Sequence, residues 1–187
     1  MAGERKIERI IDKLRAGNDG HEFHEVWTAR KSLQLLRPDT ELIAIAVEGL
    51  SPSDQAKVPT ATVEVADLTL YYGKQWGFEN ASKMVIAQFK YSIANKDKDF
   101  RASAAKETLE KFGLSYESYR TDYGAKTVED KLEFHLITNQ PVYEPLVQAV
   151  EALQAGEDPT RSAKVPVKTQ AQQIKAASGL SGRSLAA

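Results

Sequence analysis

Cysteine is absent from the 187 residues, which excludes disulfides, thiol nucleophiles and zinc–thiolate sites. A long apolar run is missing as well. The longest candidate, Leu42 to Val47, falls far short of the roughly 18 residues that a membrane helix needs. The opening MAGERKIERI is charged and has no apolar stretch, so it does not read as a secretory signal. These absences point to a cytoplasmic protein with no membrane attachment. An excess of one charge is missing too: Lys plus Arg number 25 against 26 Asp plus Glu, a formal net charge of −1. Contact with nucleic acid must then come from a local patch, because the whole chain supplies no attractive field. What is present is ordinary, 42% hydrophobic and 27% charged. That composition excludes wholesale disorder, collagen and a coiled coil, and the length suits one domain with a short appendage.

Periodicity predicts the elements. Ile7, Ile10, Ile11 and Leu14 fall at helical spacing between Glu4 and Arg15. After the break at Gly17 to Gly20, a second helix is expected from His21 to Leu36, with Phe23, Val26, Trp27, Leu33 and Leu36 on one stripe and Pro38 ending it. Leu42 to Val47 is continuous and apolar, the pattern of a strand covered on both faces. A loop over Gly49 to Thr60 precedes a second strand expected from Thr62 to Tyr72, and a turn from Gly73 to Asn80 precedes a third from Met84 to Tyr91. A helix over Phe100 to Phe112 follows, which Gly113 either ends or interrupts. A fourth strand spans Lys131 to Thr138, and a last helix carries Leu146, Val147, Val150 and Leu153 up to Gly156. The order predicts an α/β fold in one domain over residues 1–156. From Glu157 onward aromatics vanish, and 157–187 reads as a linker or the start of a truncated C-terminal module, with a helical candidate at Gln170 to Ala177.

Polar residues interrupt the apolar strands, and these carry the chemistry. Glu48 closes the first strand, Asp67 falls within the second, and Gln88 and Lys90 lie two apart in the third. Side chains alternate along a strand, so positions 88 and 90 share a face. Burying a Gln and a Lys there is costly without partners. One reading is a buried Asp67–Lys90 ion pair with Gln88 satisfied by backbone. The other is a divalent-cation site, since carboxylate and amide oxygens suit Mg²⁺ and a lysine beside the ion stabilises phosphate charge.

Asp67 followed by Gln88-Phe89-Lys90 resembles the PD-(D/E)xK nuclease signature in its D…QxK variant. The stretches GHEFHEVWTARKSLQLL, AVEGLSPSD, EVADLTLYYG and VIAQFKYSIA resemble the N-terminal double-stranded-DNA endonuclease domain of bacterial anti-phage effectors, over roughly residues 18–155. The resemblance implies a restriction-endonuclease-like αβββαβ core with a mixed central sheet flanked by helices. It implies Asp67 as central metal ligand, Gln88 in place of the usual acidic residue, Lys90 as catalytic lysine, and Glu48 as a second carboxylate at the metal. Glu25, with Glu22 as the alternative, corresponds to the helix carboxylate of some members. The implied cofactor is Mg²⁺, with Mn²⁺ as a substitute. The implied partners are double-stranded DNA and further copies of the chain, clustered through a C-terminal module. Two features depart from the pattern: Ala66 stands where the signature has proline, and Gln88 brings no charge.

Between Lys83 and Lys111, seven basic residues face four acidic ones. Lys96, Lys98 and Arg101 directly follow the third strand, where they are expected to contact DNA phosphates; an ordinary solvated face is the other reading. Ser92 shares the face of Lys90 and either assists a phosphate or satisfies backbone. His21, His24 and His135 read as surface or core histidines, Trp27 as core, and Trp76 as a loop anchor rather than a base-stacking platform. The expected function is a Mg²⁺-dependent endonuclease domain acting on double-stranded DNA, with a catalytically inactive nuclease-like module for DNA binding or oligomerisation as its rival.

Overall fold

The computed structural model describes residues 20–162 and 164–180. The predicted helix over Glu4 to Arg15 lies outside the described residues. A helix over residues 20–32 (α1) runs into a 3₁₀ turn at Leu33–Leu36, so regular α-helix ends sooner than the apolar stripe suggests. The strands are β1 (Leu42–Val47), β2 (Leu68–Tyr72), β3 (Lys83–Lys90) and β4 (Leu132–Thr138). They form one open mixed sheet in the order β1-β2-β3-β4. β1 with β2 and β2 with β3 are antiparallel, while β3 with β4 is parallel. A parallel neighbour needs a crossover. It is supplied by α4 (Lys106–Tyr123) and α5 (Ala125–Lys131), after the short helices α2 (Pro52–Gln55) and α3 (Thr60–Val65) that lie between β1 and β2.

Strand alternation sends side chains to two cores. One face carries Tyr71, Met84 and Ile86 against Phe112, Tyr116 and Tyr119 of α4. The other carries Leu68, Leu70, Val85, Ala87 and Phe89, against which Phe23 and Trp27 of α1 pack. The continuous apolar runs of β1 and β3 reflect this two-sided cover. Among the described residues no helix is long and apolar enough to cross a membrane.

One expectation is corrected, and two open readings are narrowed. The second strand begins at Leu68, not Thr62, because Thr60–Val65 is helical. The run is β-branched, but that preference yields to packing. Pro59 opens the helix, and Thr62 and Val65, one turn apart, are both buried, with the Ser115 hydroxyl of α4 donating to Thr62 Oγ1 at 3.0 Å. Asp67 therefore precedes its strand instead of sitting within it. Next, of the two readings of Gly113, the helix passes through it: α4 is 18 residues long and runs on to Tyr123. The glycine is needed because α8 (Val165–Ser178) crosses there, and a Cβ would collide with the Ser178 carbonyl oxygen.

Finally, the region from Glu157 is more than a linker in the described residues. After α6 (Glu144–Gln154) it holds α7 (Pro159–Ser162) and α8. Val167, Ala171 and Ile174 of α8 join Leu146 and Leu153 of α6 in one core. The buried Gln170 accepts the Ala102 backbone N–H at 3.0 Å, and Lys175 binds Asp158 at 2.7 Å. Its small and polar composition hid these contacts from the sequence reading.

Candidate active site

Glu48 directly follows β1, Asp67 directly precedes β2, and Gln88 lies in β3, so the three meet at one end of the sheet. β1 ends at Val47, opposite Leu68, and Leu68 lies opposite Ala87. One step further along the same register sets Glu48 beside Asp67 and Asp67 beside Gln88. The Glu48 N–H donates to the Asp67 carbonyl oxygen at 2.9 Å. Glu48 has φ 52°, the one positive value at a non-glycine among the described residues. Such strain persists where the surroundings hold it, and here they do. Thr69 Oγ1 donates to the Gly49 carbonyl at 2.7 Å, and Gln55 Nε2 to the Leu50 carbonyl at 2.8 Å.

The half-buried Asp67 carboxylate accepts two bonds on one oxygen, from Gln88 Nε2 at 2.7 Å and from the Phe89 backbone N–H at 2.6 Å. A carboxylate only accepts, so it is the amide nitrogen that faces it. The partner of Asp67 is therefore Gln88 and not Lys90, which separates the arrangement from the ion-pair reading. Lys90 is half-buried on the same face as Gln88, opposite Thr138 of β4. Among the described residues it has no ion-pair partner. A lysine left without a counter-charge beside these carboxylates is suited to an incoming anion.

Two oxygens on adjacent octahedral positions of Mg²⁺, each bound at 2.0–2.1 Å, lie about 3 Å apart. The 2.7 Å between Asp67 Oδ2 and the Gln88 amide is of that size, so the pair fits the ion once the amide presents its oxygen. Among the described residues no three His, Asp or Glu side chains converge to hold a metal. A cation here would need the Gln88 oxygen, Glu48 and ligands from solvent or substrate. Glu48 is exposed, and its backbone, bonded to the Asp67 carbonyl, brings this residue next to Asp67.

Glu25 and Glu22 are not brought to this site. α1 packs on the opposite face of the sheet, where Phe23 and Trp27 meet Phe89 at ring separations of 5.8 and 6.3 Å. Glu25 lies two residues from each of these, on the far side of the helix at 3.6 residues per turn, and both glutamates are exposed. The His24 ring packs tilted against Phe89 at 4.8 Å, and His135 lies 3.2 Å from Glu133. Trp76, 49% exposed, follows β2 at the end of the sheet away from Asp67.

The basic segment divides. Lys83 pairs with Glu133 at 2.6 Å, Lys111 with Glu64 at 3.2 Å and Lys106 with Glu110 at 3.7 Å. Lys96 and Lys98 are exposed in the turn after β3, which Gln140 Nε2 holds through the Asn95 and Lys98 carbonyls at 2.8 and 3.1 Å. Arg101 stacks over the Tyr143 ring at 3.8 Å and reaches Asp99 at 3.5 Å. Ser92 serves the turn: its hydroxyl accepts the Asn95 N–H at 3.2 Å.

A buried acid escaped the sequence reading. Asp54 is 3% exposed and accepts the Tyr71 hydroxyl at 2.8 Å and the Phe78 N–H at 3.0 Å. The Tyr71 oxygen in turn accepts the Ser51 N–H at 2.8 Å. Burial, above all, pushes the Tyr71 hydroxyl's pKa well above its ordinary value. This network fastens the loop that follows Glu48. Its local signal is Ser51 capping the Asp54 N–H at 3.3 Å, the spacing of a helix N-cap.

Comparison of the chain with protein-family models and with curated proteins finds no match.

Proposed function

We propose that the chain is a divalent-metal-dependent endonuclease domain with a restriction-endonuclease-like core, hydrolysing phosphodiester bonds in double-stranded DNA. The observation that carries this reading is the Asp67–Gln88 pair, with Glu48 bonded to the Asp67 backbone and with Lys90, which has no ion-pair partner among the described residues, two residues on from Gln88 on the same face of β3. Asp67, Gln88 and Glu48 would hold Mg²⁺, or Mn²⁺ in its place. The bound ion would polarise the phosphate and lower the pKa of an attacking water. Lys90 would meet the charge that develops on the phosphate oxygens. Lys96, Lys98 and Arg101, beyond the same end of β3, would grip the phosphates alongside.

The sequence resemblance extends the proposal to a cytoplasmic effector part of a larger anti-phage protein. Cutting both strands needs two such sites, so copies of the chain would act together. Nicking of supercoiled plasmid by the wild type with Mg²⁺, set against Lys90→Ala, is the test. Lys90→Ala should lose cleavage entirely; equal cleavage by both would remove Lys90 from the reaction.

A second reading is a catalytically inactive module that binds DNA or oligomerises. Its support is the neutral Gln88 and the absence, among the described residues, of a third converging acid or histidine. DNA retention without Mg²⁺-dependent nicking, even in artificially clustered protein, would favour it.

A further inference from the structure

We propose that the Gln88 amide gates cation entry: nitrogen-first on Asp67 it keeps a cation out, and it turns oxygen-first when a DNA phosphate completes the site. The inference rests on the endonuclease reading and adds to it an order of binding. Asp67 Oδ2 accepts N–H bonds from Gln88 at 2.7 Å and from Phe89 at 2.6 Å. Both place positive partial charge against Oδ2, the oxygen that a cation shared with the Gln88 amide would use. The Phe89 donor is backbone within β3 and stays fixed. The Gln88 donor sits on a terminal amide torsion, which is broad and roughly two-fold, and Asp67 is its one hydrogen-bond partner among the described residues.

Turning the amide presents Oε1 beside Asp67 at the spacing an octahedral ion requires. It also breaks a charge-assisted bond, the stronger kind, and frees an NH₂ group. On the β4 side the register partner of Gln88 is Leu136, which offers that NH₂ no side-chain acceptor. A phosphate oxygen supplies one, and supplies a cation ligand as well. Polyanion and metal therefore assist each other's binding, and the metal alone binds weakly. The broken bond is worth about 10- to 100-fold in cation affinity.

The test is a Mn²⁺ titration of the full chain followed by water-proton relaxation, with and without a short DNA duplex, on wild type, Gln88→Glu and Gln88→Met, with thermal melts as a check on folding. Wild type should bind Mn²⁺ weakly alone and at least about 10-fold more tightly with duplex. Gln88→Glu, which has an oxygen and no N–H, should bind tightly without duplex and gain little from it. Gln88→Met, which has neither group, should keep only the share of the duplex gain that phosphate gives as a cation ligand; retention of the full gain would overturn the gate, and this variant decides if Gln88→Glu does not fold. Wild type binding as tightly as Gln88→Glu in the absence of DNA would also overturn the gate while leaving the endonuclease reading intact. No Mn²⁺ binding by any of the three, with or without duplex, would overturn both.

Discussion

Tyr71→Phe removes one oxygen atom and should destabilise the domain by several kcal/mol. The hydroxyl accepts from the Ser51 N–H and donates to Asp54 Oδ2, both at 2.8 Å. Ser51 and Asp54 are 1% and 3% exposed, so water does not replace the lost partner. Each buried group left unpaired costs about 1–3 kcal/mol, more when charged. The Ser51 N–H is left without a partner while Asp54 keeps the Phe78 N–H, so the loss is about 2–5 kcal/mol, short of two fully unpaired groups. Urea denaturation followed by circular dichroism reads this directly. At a slope of about 2 kcal/mol/M the midpoint should fall by about 1–2.5 M with the slope unchanged. In an Asp54→Ala background the same substitution should cost about 1–2 kcal/mol less, because the carboxylate whose hydroxyl partner it removes is already gone. A loss below about 0.5 kcal/mol, the size of an ordinary surface substitution, or strict additivity of the two changes, would refute this account of the network.

Exchanging Lys96 and Lys98 for glutamate should weaken duplex binding and flatten its salt dependence by about one unit of slope per lost phosphate contact, whereas Lys106→Glu, at a position paired on α4, should change the slope little; equal slopes in electrophoretic shift titrations would place the contact surface elsewhere. The Asp158 carboxyl is held near pKa 2 by its bonds from Lys175 and Thr160, below its ordinary value, so its contribution to seating α8 is present above about pH 4 and is lost as the pH falls toward 2. Amide hydrogen exchange in α8 should quicken across that window, and Asp158→Asn should remove the pH dependence; an unchanged profile in the variant would show that another group governs the loosening.

The local patterns in the chain were legible because they depend on neighbours in sequence. The continuous apolar run of β1 and the nearly continuous one of β3 declare buried strands, and alternation along β3 places Gln88 and Lys90 together whatever their surroundings. The α/β class and the polar residues of β3 follow from those patterns. Where a segment's conformation depended on what packed against it, the sequence misled: Thr60–Val65 has the composition of a strand yet coils so that Thr62 and Val65 reach α4, and the residues of α8 look like a linker until α4 and α6 bury one side of them. Register is likewise a property of paired strands. It decided that Asp67 meets the Gln88 amide and not the Lys90 ammonium, while the packing of Phe23 and Trp27 on Phe89 set Glu25 on the opposite face. Composition and periodicity thus determined which chemical groups this protein has and which strands carry them, while only tertiary packing decided which of those groups touch, because contact between strands and helices is set by the burial of whole faces and not by any one segment alone.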